Sequence, residues 1–357
     1  MKLTVVFNGA ELTADHLQQV ISAAGTNTSV RVHTAQAIAI STLLSCISLA
    51  GSTKFLSLDF NGAQLTANNL QQAIAAAGAN TSISVNTAQA TNIDTLVSVI
   101  KSNKKFSADF NGAQLTANNL QLAVNAASAN TFISVNTAQA VNITTLLTAI
   151  NANKNFSANF NGAQLTANNL QQAVAAAGTN TSISANTAQA VNIDTLLSVI
   201  KTNKRFSADF NGAQLTANNL QQAIAAAGTN TSISVNTAQA VNIDTLLSVI
   251  RSNKRFSANF NGAQLTANNL QQAVAAAGTN TSISVNTAQS VNIDTLLSIM
   301  GTAGSTKKFS ASFDGEFLNT TNLKRAVSAA GSNTSVTVND AQKVSISTLL
   351  SIVNTAG

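Results

Sequence analysis

Short runs of strict alternation recur along the chain. Phe106, Ala108 and Phe110 alternate with Ser107 and Asp109, and Ile133 and Val135 alternate with Ser134. A period of two predicts a β-strand with one buried face. After the first run come Leu115, then Leu120, Ala123, Val124 and Ala127, whose i, i+3, i+4, i+7 spacing predicts a helix with one apolar face. Gly78, Gly178, Gly228 and Gly278, with an Asn-Thr pair shortly after each, predict the helix stop and turn. After the second run, Val141, Ile143, Leu146, Leu147 and Ile150 predict another helix, ending in a polar stop like Lys101–Lys104. The spacing leaves its boundaries open.

The pattern repeats. NGAQLTANNL stands unchanged at 61, 111, 161, 211 and 261, with near-copies at 8 and 314. The preceding phenylalanines are Phe7, Phe60, Phe110, Phe160, Phe210, Phe260 and Phe313; the inner spacings are 50 residues and the outer two are 53. The extra residues fall in the Gly/Ser/Thr stretches 50–53 and 301–306. Each repeat divides again, because 106–115 and 131–140 share one plan 25 residues apart. The chain therefore holds seven repeats and fourteen units of one strand and one helix. Such a unit has no room for a returning strand, so successive strands must run parallel with the helices on one side. One unit cannot bury both its faces, and stacking supplies the core. The expected architecture is an α/β solenoid of a single repeat domain, 1–357, with an N-terminal capping repeat (1–53), five inner repeats (54–306) and a C-terminal capping repeat (307–357). The two ends resemble each other: Ile40–Ser45 reads ISTLLS, as does Ile346–Ser351. Lys2, Arg31 and Lys343 suit charges placed to deter edge-to-edge strand pairing.

At this point the residues resemble the leucine-rich repeat of the long, helix-bearing, ribonuclease-inhibitor-like kind. Leu115-Thr116, Asn119-Leu120, Ala123-Val124, Ala127 and Asn130 are similar to its helical half, and Ile133-x-Val135-x-x-Ala138 to its strand segment. The resemblance implies a horseshoe with a parallel sheet on the concave face, helices on the convex face, and binding through the strands. The family's inward Asn or Cys is Ala here (Ala113, Ala138), and the unit is shorter. A closed βα ring is the alternative.

Composition narrows the partners. Charged residues make up 8% of the chain, against roughly 25% in ordinary soluble proteins, so the surface rests on Asn, Gln, Ser and Thr. The net charge of +6 reflects 18 basic against 12 acidic residues, and Trp and Tyr are absent. Nucleic acid is not an expected partner, since stacking platforms are missing. No apolar run approaches the length of a membrane span. The opening MKLTVVFNGA enters the first repeat at once, with no cleavable signal peptide, which suits a soluble cytoplasmic chain or a translocated bacterial effector. The lone Cys46 falls at a helix position expected in the core, where it serves as a small hydrophobe.

Asn follows the strand at Asn61, Asn86, Asn111, Asn136, Asn161, Asn186, Asn211, Asn236, Asn261 and Asn286, and Gln stands three residues later in most units. Identical amides stacked on parallel strands can bond along the column, so these residues are expected to form a structural ladder. The candidate binding face comprises the outward strand positions Asp59, Asp109, Ser134, Asn159, Ser184, Asp209, Ser234 and Asn259. Lys104, Lys154, Lys204 and Lys254, with Lys105, Arg205 and Arg255 alongside, form a basic stripe that complements helix C-termini or docks an acidic partner. His16 and His33 are accompanied by no nucleophile–base arrangement, phosphate loop or metal spacing. The Asn-Thr-Ser triplets at Asn80, Asn180, Asn230, Asn280 and Asn333 read as turns. The expectation is thus a non-catalytic protein-binding scaffold that holds no cofactor or metal and acts through its strand face. The alternative is a structural or adhesive array that takes glycans, self-associates through its terminal strands, or was built from a consensus.

Overall fold

A computed structural model describes every residue except Ser305, which lies within the 301–306 stretch. Among the described residues the chain alternates fourteen strands with fourteen α-helices. The first repeat supplies β1 (Leu3–Asn8), α1 (Ala14–Ala23), β2 (Thr28–His33) and α2 (Ile40–Ala50). A typical inner repeat supplies β9 (Phe206–Asn211), α9 (Ala217–Ala226), β10 (Thr231–Asn236) and α10 (Ile243–Arg251). The last supplies β13 (Lys308–Asp314), α13 (Thr320–Ala329), β14 (Thr334–Asn339) and α14 (Ile346–Ala356).

Local chemistry explains these elements. In β10, Thr231, Ile233 and Val235 are buried beneath the helices, while Ser232, Ser234 and Asn236 occupy the opposite face. The helices answer with Leu220, Ala223 and Ile224 from α9 and Leu246, Val249 and Ile250 from α10, all buried. The Thr216 hydroxyl caps α9 by accepting from the Asn219 N–H at 3.3 Å, and the Asn242 amide caps α10 by accepting from the Asp244 N–H at 3.0 Å. A one-turn 3-10 helix, Ala238–Ala240, separates β10 from α10 and is entered through Thr237 at φ 54°. That inserted turn is why the alternation and the helical period did not meet cleanly in the second half of each repeat. Left-handed Asn203 (φ 53°) and Asn253 (φ 54°) stop the even helices. The glycines expected to stop the odd helices do something else. A Cβ on Gly78 would lie 2.7 Å from the Gly51 carbonyl oxygen, so Gly78 permits close approach between neighbouring turns.

The sheet is closed, which corrects the open horseshoe and selects the ring. All strands are parallel, and β1 pairs with both β2 and β14. The closing seam matches the inner ones. Leu3, Thr4 and Val5 pair with Val336, Thr337 and Val338, as Phe256, Ser257 and Ala258 of β11 (Phe256–Asn261) pair with Ile233, Ser234 and Val235. The Val336 N–H donates to the Lys2 carbonyl at 2.8 Å, and the Ile233 N–H to that of Arg255 at 3.0 Å. The Asn8 N–H donates to the Gln342 amide at 3.0 Å, and the Asn261 N–H to that of Gln239 at 3.0 Å. The first and last repeats therefore complete the core rather than cap it, and self-association through terminal strands loses its basis because those edges pair with each other. The three expected edge charges are used otherwise. Arg31 pairs with Asp59 at 2.6 Å, Lys343 with Glu316 at 2.8 Å, and Lys2 stands at a mouth of the barrel.

Register sets the shape of this ring. Each odd strand pairs straight across with its successor, but each even strand meets its successor two residues further along: Phe206 lies opposite Thr231, whereas Phe256 lies opposite Ile233. The same offset recurs at all seven even-to-odd seams, β14 to β1 included, giving a shear of 14 for 14 strands. Eight-stranded βα barrels have the same ratio of shear to strand number, so the strands tilt by roughly 36°. Fourteen strands at sheet spacing then place opposite backbones about 25 Å apart, with a bore on the order of 15 Å inside the side chains.

Candidate functional site: the lumen of the barrel

Because the helices cover the outside, the candidate strand-face residues line the lumen. With equal shear and strand number, inward side chains fall into layers supplied by alternate strands, here seven residues each. From the end where strands begin, the first layer holds Lys2, Phe55, Lys105, Asn155, Arg205, Arg255 and Lys308. Three hydroxyl layers follow. Ser82, Ser182, Ser232 and Ser282 lie in the first of them, Ser57, Ser107, Ser157, Ser207 and Ser257 in the second, and Ser84, Ser134, Ser184, Ser234 and Ser284 in the third. Next come Asp59, Asp109, Asn159, Asp209 and Asn259, in one layer with Val6 and Ser312.

The structure thus brings the eight candidate residues together in two adjacent layers, and it locks those layers to each other. Ser84 donates to Asp59 at 2.5 Å and Ser184 to Asn159 at 2.6 Å; Ser134, Ser234 and Ser284 donate likewise to Asp109, Asp209 and Asn259. Asp59, only 3% exposed, also accepts from Arg31 Nε at 2.6 Å and His33 Nδ1 at 2.8 Å. Burial pushes the Asp109 carboxyl above its ordinary 3.8; the Ser134 hydrogen bond opposes this, and the negative charge of Asp59 adds to it. Two cavities open from these layers. One of about 440 Å³ is lined by Asn159, Ser182, Ser184, Arg205, Asp209 and Arg255, among others, and one of about 380 Å³ by Arg31, Asp59, Ser84, Lys105 and Asp109, among others.

The asparagine column divides in two. Asn61, Asn111, Asn161, Asn211 and Asn261 each accept from a backbone N–H two residues on and from the threonine hydroxyl of the next unit, as in Thr87 to Asn61 at 2.7 Å. Asn86, Asn136, Asn186, Asn236 and Asn286 lie exposed at the far mouth; Asn136 accepts from Asn159 at 2.8 Å and Asn236 from Asn259 at 2.7 Å. Glutamines make further amide-to-amide bonds between units. Gln89 donates to Gln114 at 2.9 Å and Gln189 to Gln214 at 3.0 Å. At the closing seam Gln342 donates to Glu11 at 3.2 Å.

The basic stripe divides as well. Lys104, Lys204 and Lys254 donate to the carbonyls of Ala77, Ala177 and Ala227, at 2.7, 3.0 and 2.8 Å, and so cap the ends of the odd helices. One residue later, Lys105, Arg205 and Arg255 line the lumen cavities. Two features of the lumen were missed in the sequence. One is this ring at the mouth, whose only signal was the doubling of basic residues at 104–105, 204–205 and 254–255. The other is Phe132, 41% exposed, at a seat where Ser82, Ser182, Ser232 and Ser282 stand in the other inner repeats. Cys46 is fully buried in the outer core, and burial pushes its thiol up to about 11. His16 lies on α1, and His33 ends β2.

Fold and site together define an α/β repeat protein whose parallel strands close into a barrel. No family model matches the chain, and no curated protein matches it. Among solved structures it is similar to one described as the Rad7 and Elc1 complex in yeast, with 12% identity over 86% of this chain and 85% of that one at a TM-score of 0.47. It is also similar to a truncated 3-deoxy-D-arabino-heptulosonate 7-phosphate synthase from Thermotoga maritima, with 12% identity, 52% and 74% coverage and a TM-score of 0.29. A 3-hexulose-6-phosphate synthase gives 17% identity, 53% and 92% coverage and a TM-score of 0.28. The expectation that the chain is not an enzyme is corrected here. These solved neighbours are mostly described as enzymes, synthases, an aldolase and a lyase/mutase among them. Likenesses this distant carry over no reaction and no residue role.

Proposed function

We propose that the chain is a structural repeat ring whose lumen takes up a hydroxyl-rich chain of the carbohydrate class. The observation that carries this reading is the stack of three successive hydroxyl layers, open to solvent through cavities of about 440 and 380 Å³. Hydroxyls both donate and accept, so serine layers suit a ligand that is itself polyhydroxylated. Phe132 adds one exposed aromatic face against which a sugar ring can lie. Recognition of a folded protein through the strand face fits less well, because a bore on the order of 15 Å admits an extended chain but not a domain. Kinship with helix-bearing leucine-rich repeats is part of the same reading, supported by the alternation of two related βα units and separated from it by the closure.

The test is calorimetric titration with neutral dextran, maltodextrin and xylan oligomers. The comparison variant carries Ser182→Leu, Ser232→Leu and Ser282→Leu, in a layer that already holds Phe132. We expect at least one oligomer to bind the natural chain and the variant to lose about tenfold in affinity through unpaired ligand hydroxyls. Binding that survives the three leucines moves the site out of the lumen, and no binding by any oligomer overturns the carbohydrate assignment.

A further inference from the structure

Five cations share the layer where the strands begin: Lys2, Lys105, Arg205, Arg255 and Lys308. Their backbones occupy equivalent seats. The carbonyls of Lys2, Lys105, Arg205 and Arg255 each accept from the strand before, at 2.8 to 3.0 Å. Four of the five line cavities: Lys105 lines that of about 380 Å³, Arg205 and Arg255 share that of about 440 Å³, and Arg255 and Lys308 share a third of about 220 Å³. None of the five is neutralised. Among the described residues the ion pairs are Arg31–Asp59, His33–Asp59, Arg325–Asp294 and Lys343–Glu316, and none of them involves this layer. Arg205 and Arg255 spend one nitrogen each on the neutral carbonyls of Thr179 and Thr229, at 2.8 and 3.4 Å, which steadies the guanidinium and leaves its charge.

The acids of the lumen lie deeper in the same cavities. Asp59, Asp109 and Asp209 lie beyond three hydroxyl layers, about 10 Å deeper at one strand residue per layer, and Asp59 is already matched by Arg31. Asp314, Glu11 and Asp340 lie at the opposite mouth. The barrel is thus polarised along its axis, with uncompensated positive charge at one entrance and neutral hydroxyls directly behind it. A low-dielectric wall around such an entrance focuses its field and raises the local concentration of anions.

From this we infer that the entrance selects an acidic sugar chain: anionic groups are held by the five-cation ring while the hydroxyl-bearing remainder enters the serine layers. The inference deepens the carbohydrate reading of the same lumen and rests on it. Charge recognition belongs to the ring, and hydrogen bonding belongs to the layers behind.

The two claims are separated by titrating the full chain with a sulfated dextran oligomer and with neutral dextran of the same length. The ring variant carries Lys105→Asn, Arg205→Asn and Arg255→Asn, because Asn155 already occupies that seat in one repeat. The expected result is tighter binding of the sulfated oligomer, with about a tenfold loss in the ring variant and no change for the neutral one. Raising salt from about 0.1 M to about 1 M removes the sulfated preference. Equal affinity for both oligomers overturns the charge inference and leaves the lumen reading standing. So does an undiminished preference in the ring variant. Loss of sulfated binding in the ring variant but none in the Ser182→Leu, Ser232→Leu, Ser282→Leu variant places the ligand on the rim and overturns entry into the lumen. A single-stranded oligonucleotide of matched charge that binds more tightly than the sulfated sugar overturns the carbohydrate class.

Discussion

At the scale of single residues, near-identical repeats act as their own controls. Lys104 and Lys105 are neighbours of one type, yet the first is spent on the Ala77 carbonyl and the second faces the mouth of the barrel. Sequence showed the doubling but not the division, because strand parity at the first residue of a strand depends on where the ladder begins. Asp109 offers a sharper comparison, since the same seat holds Asn in Asn159 and Asn259, each still accepting the serine hydroxyl of the next unit. Burial first, and the charge of Asp59 in the same cavity after it, raise the folded pKa of Asp109 above 3.8 despite the Ser134 bond. A carboxyl with a raised folded pKa binds its proton more tightly in the native state, so its contribution to stability falls as pH rises from 3.8 through the raised value. Asp109→Asn keeps the serine bond and removes the titration. Urea unfolding should therefore find the variant level with the natural chain below pH 3.8 and more stable by about 0.5–1 kcal/mol at neutral pH. A natural chain that matches or exceeds the variant at neutral pH contradicts this account.

At the scale of elements, most strands and odd helices were legible, because periods of two and 3.6 follow directly from burial on one side. The even helices were legible in content but not in their starts, since the Ala238–Ala240 turn belongs to neither period. The role of glycine was legible only in part. Gly212 directly follows β9, and a Cβ built on it would meet the Thr237 carbonyl oxygen at 2.6 Å and a Val241 methyl at 3.0 Å. The backbone of β10 cannot give way without breaking its register with β9 and β11, so Gly212→Ala should cost about 1–3 kcal/mol. Gly301 supplies the opposite case inside α12 (Ile293–Ala303), where an added Cβ meets nothing within 4 Å. There the helix gains propensity, and Gly301→Ala should stabilise by about 0.5–1 kcal/mol. Thermal unfolding of the two variants side by side decides it. Shifts of one sign would mean that intrinsic glycine flexibility, rather than close approach, governs the turn after the strand.

At the scale of the whole molecule, closure was the feature the sequence could not settle. Unit length, alternation and the doubled repeat are the same for an arc and for a ring; the difference lies in the two-residue offset at each even-to-odd seam, which no single repeat displays. Once that offset is fixed, fourteen units return to their start and the edge charges lose the purpose they would have in an open sheet. Closure has a physical consequence for association. An open parallel sheet offers unpaired N–H and C=O groups at both edges, whereas pairing β1 with β14 removes both. The intact chain of 36.5 kDa should therefore remain monomeric in light scattering up to about 100 μM. Deleting residues 1–8 strips β1 from the ring, exposes β2 and β14, and leaves a gap that a second copy can fill only by lending its own edge. That variant should form dimers and larger species while keeping its helical circular dichroism, since each remaining helix retains a strand beneath it. A shortened chain that stays folded and monomeric would show that the thirteen remaining strands close without β1, and that register at the seam does not determine the number of units in the ring.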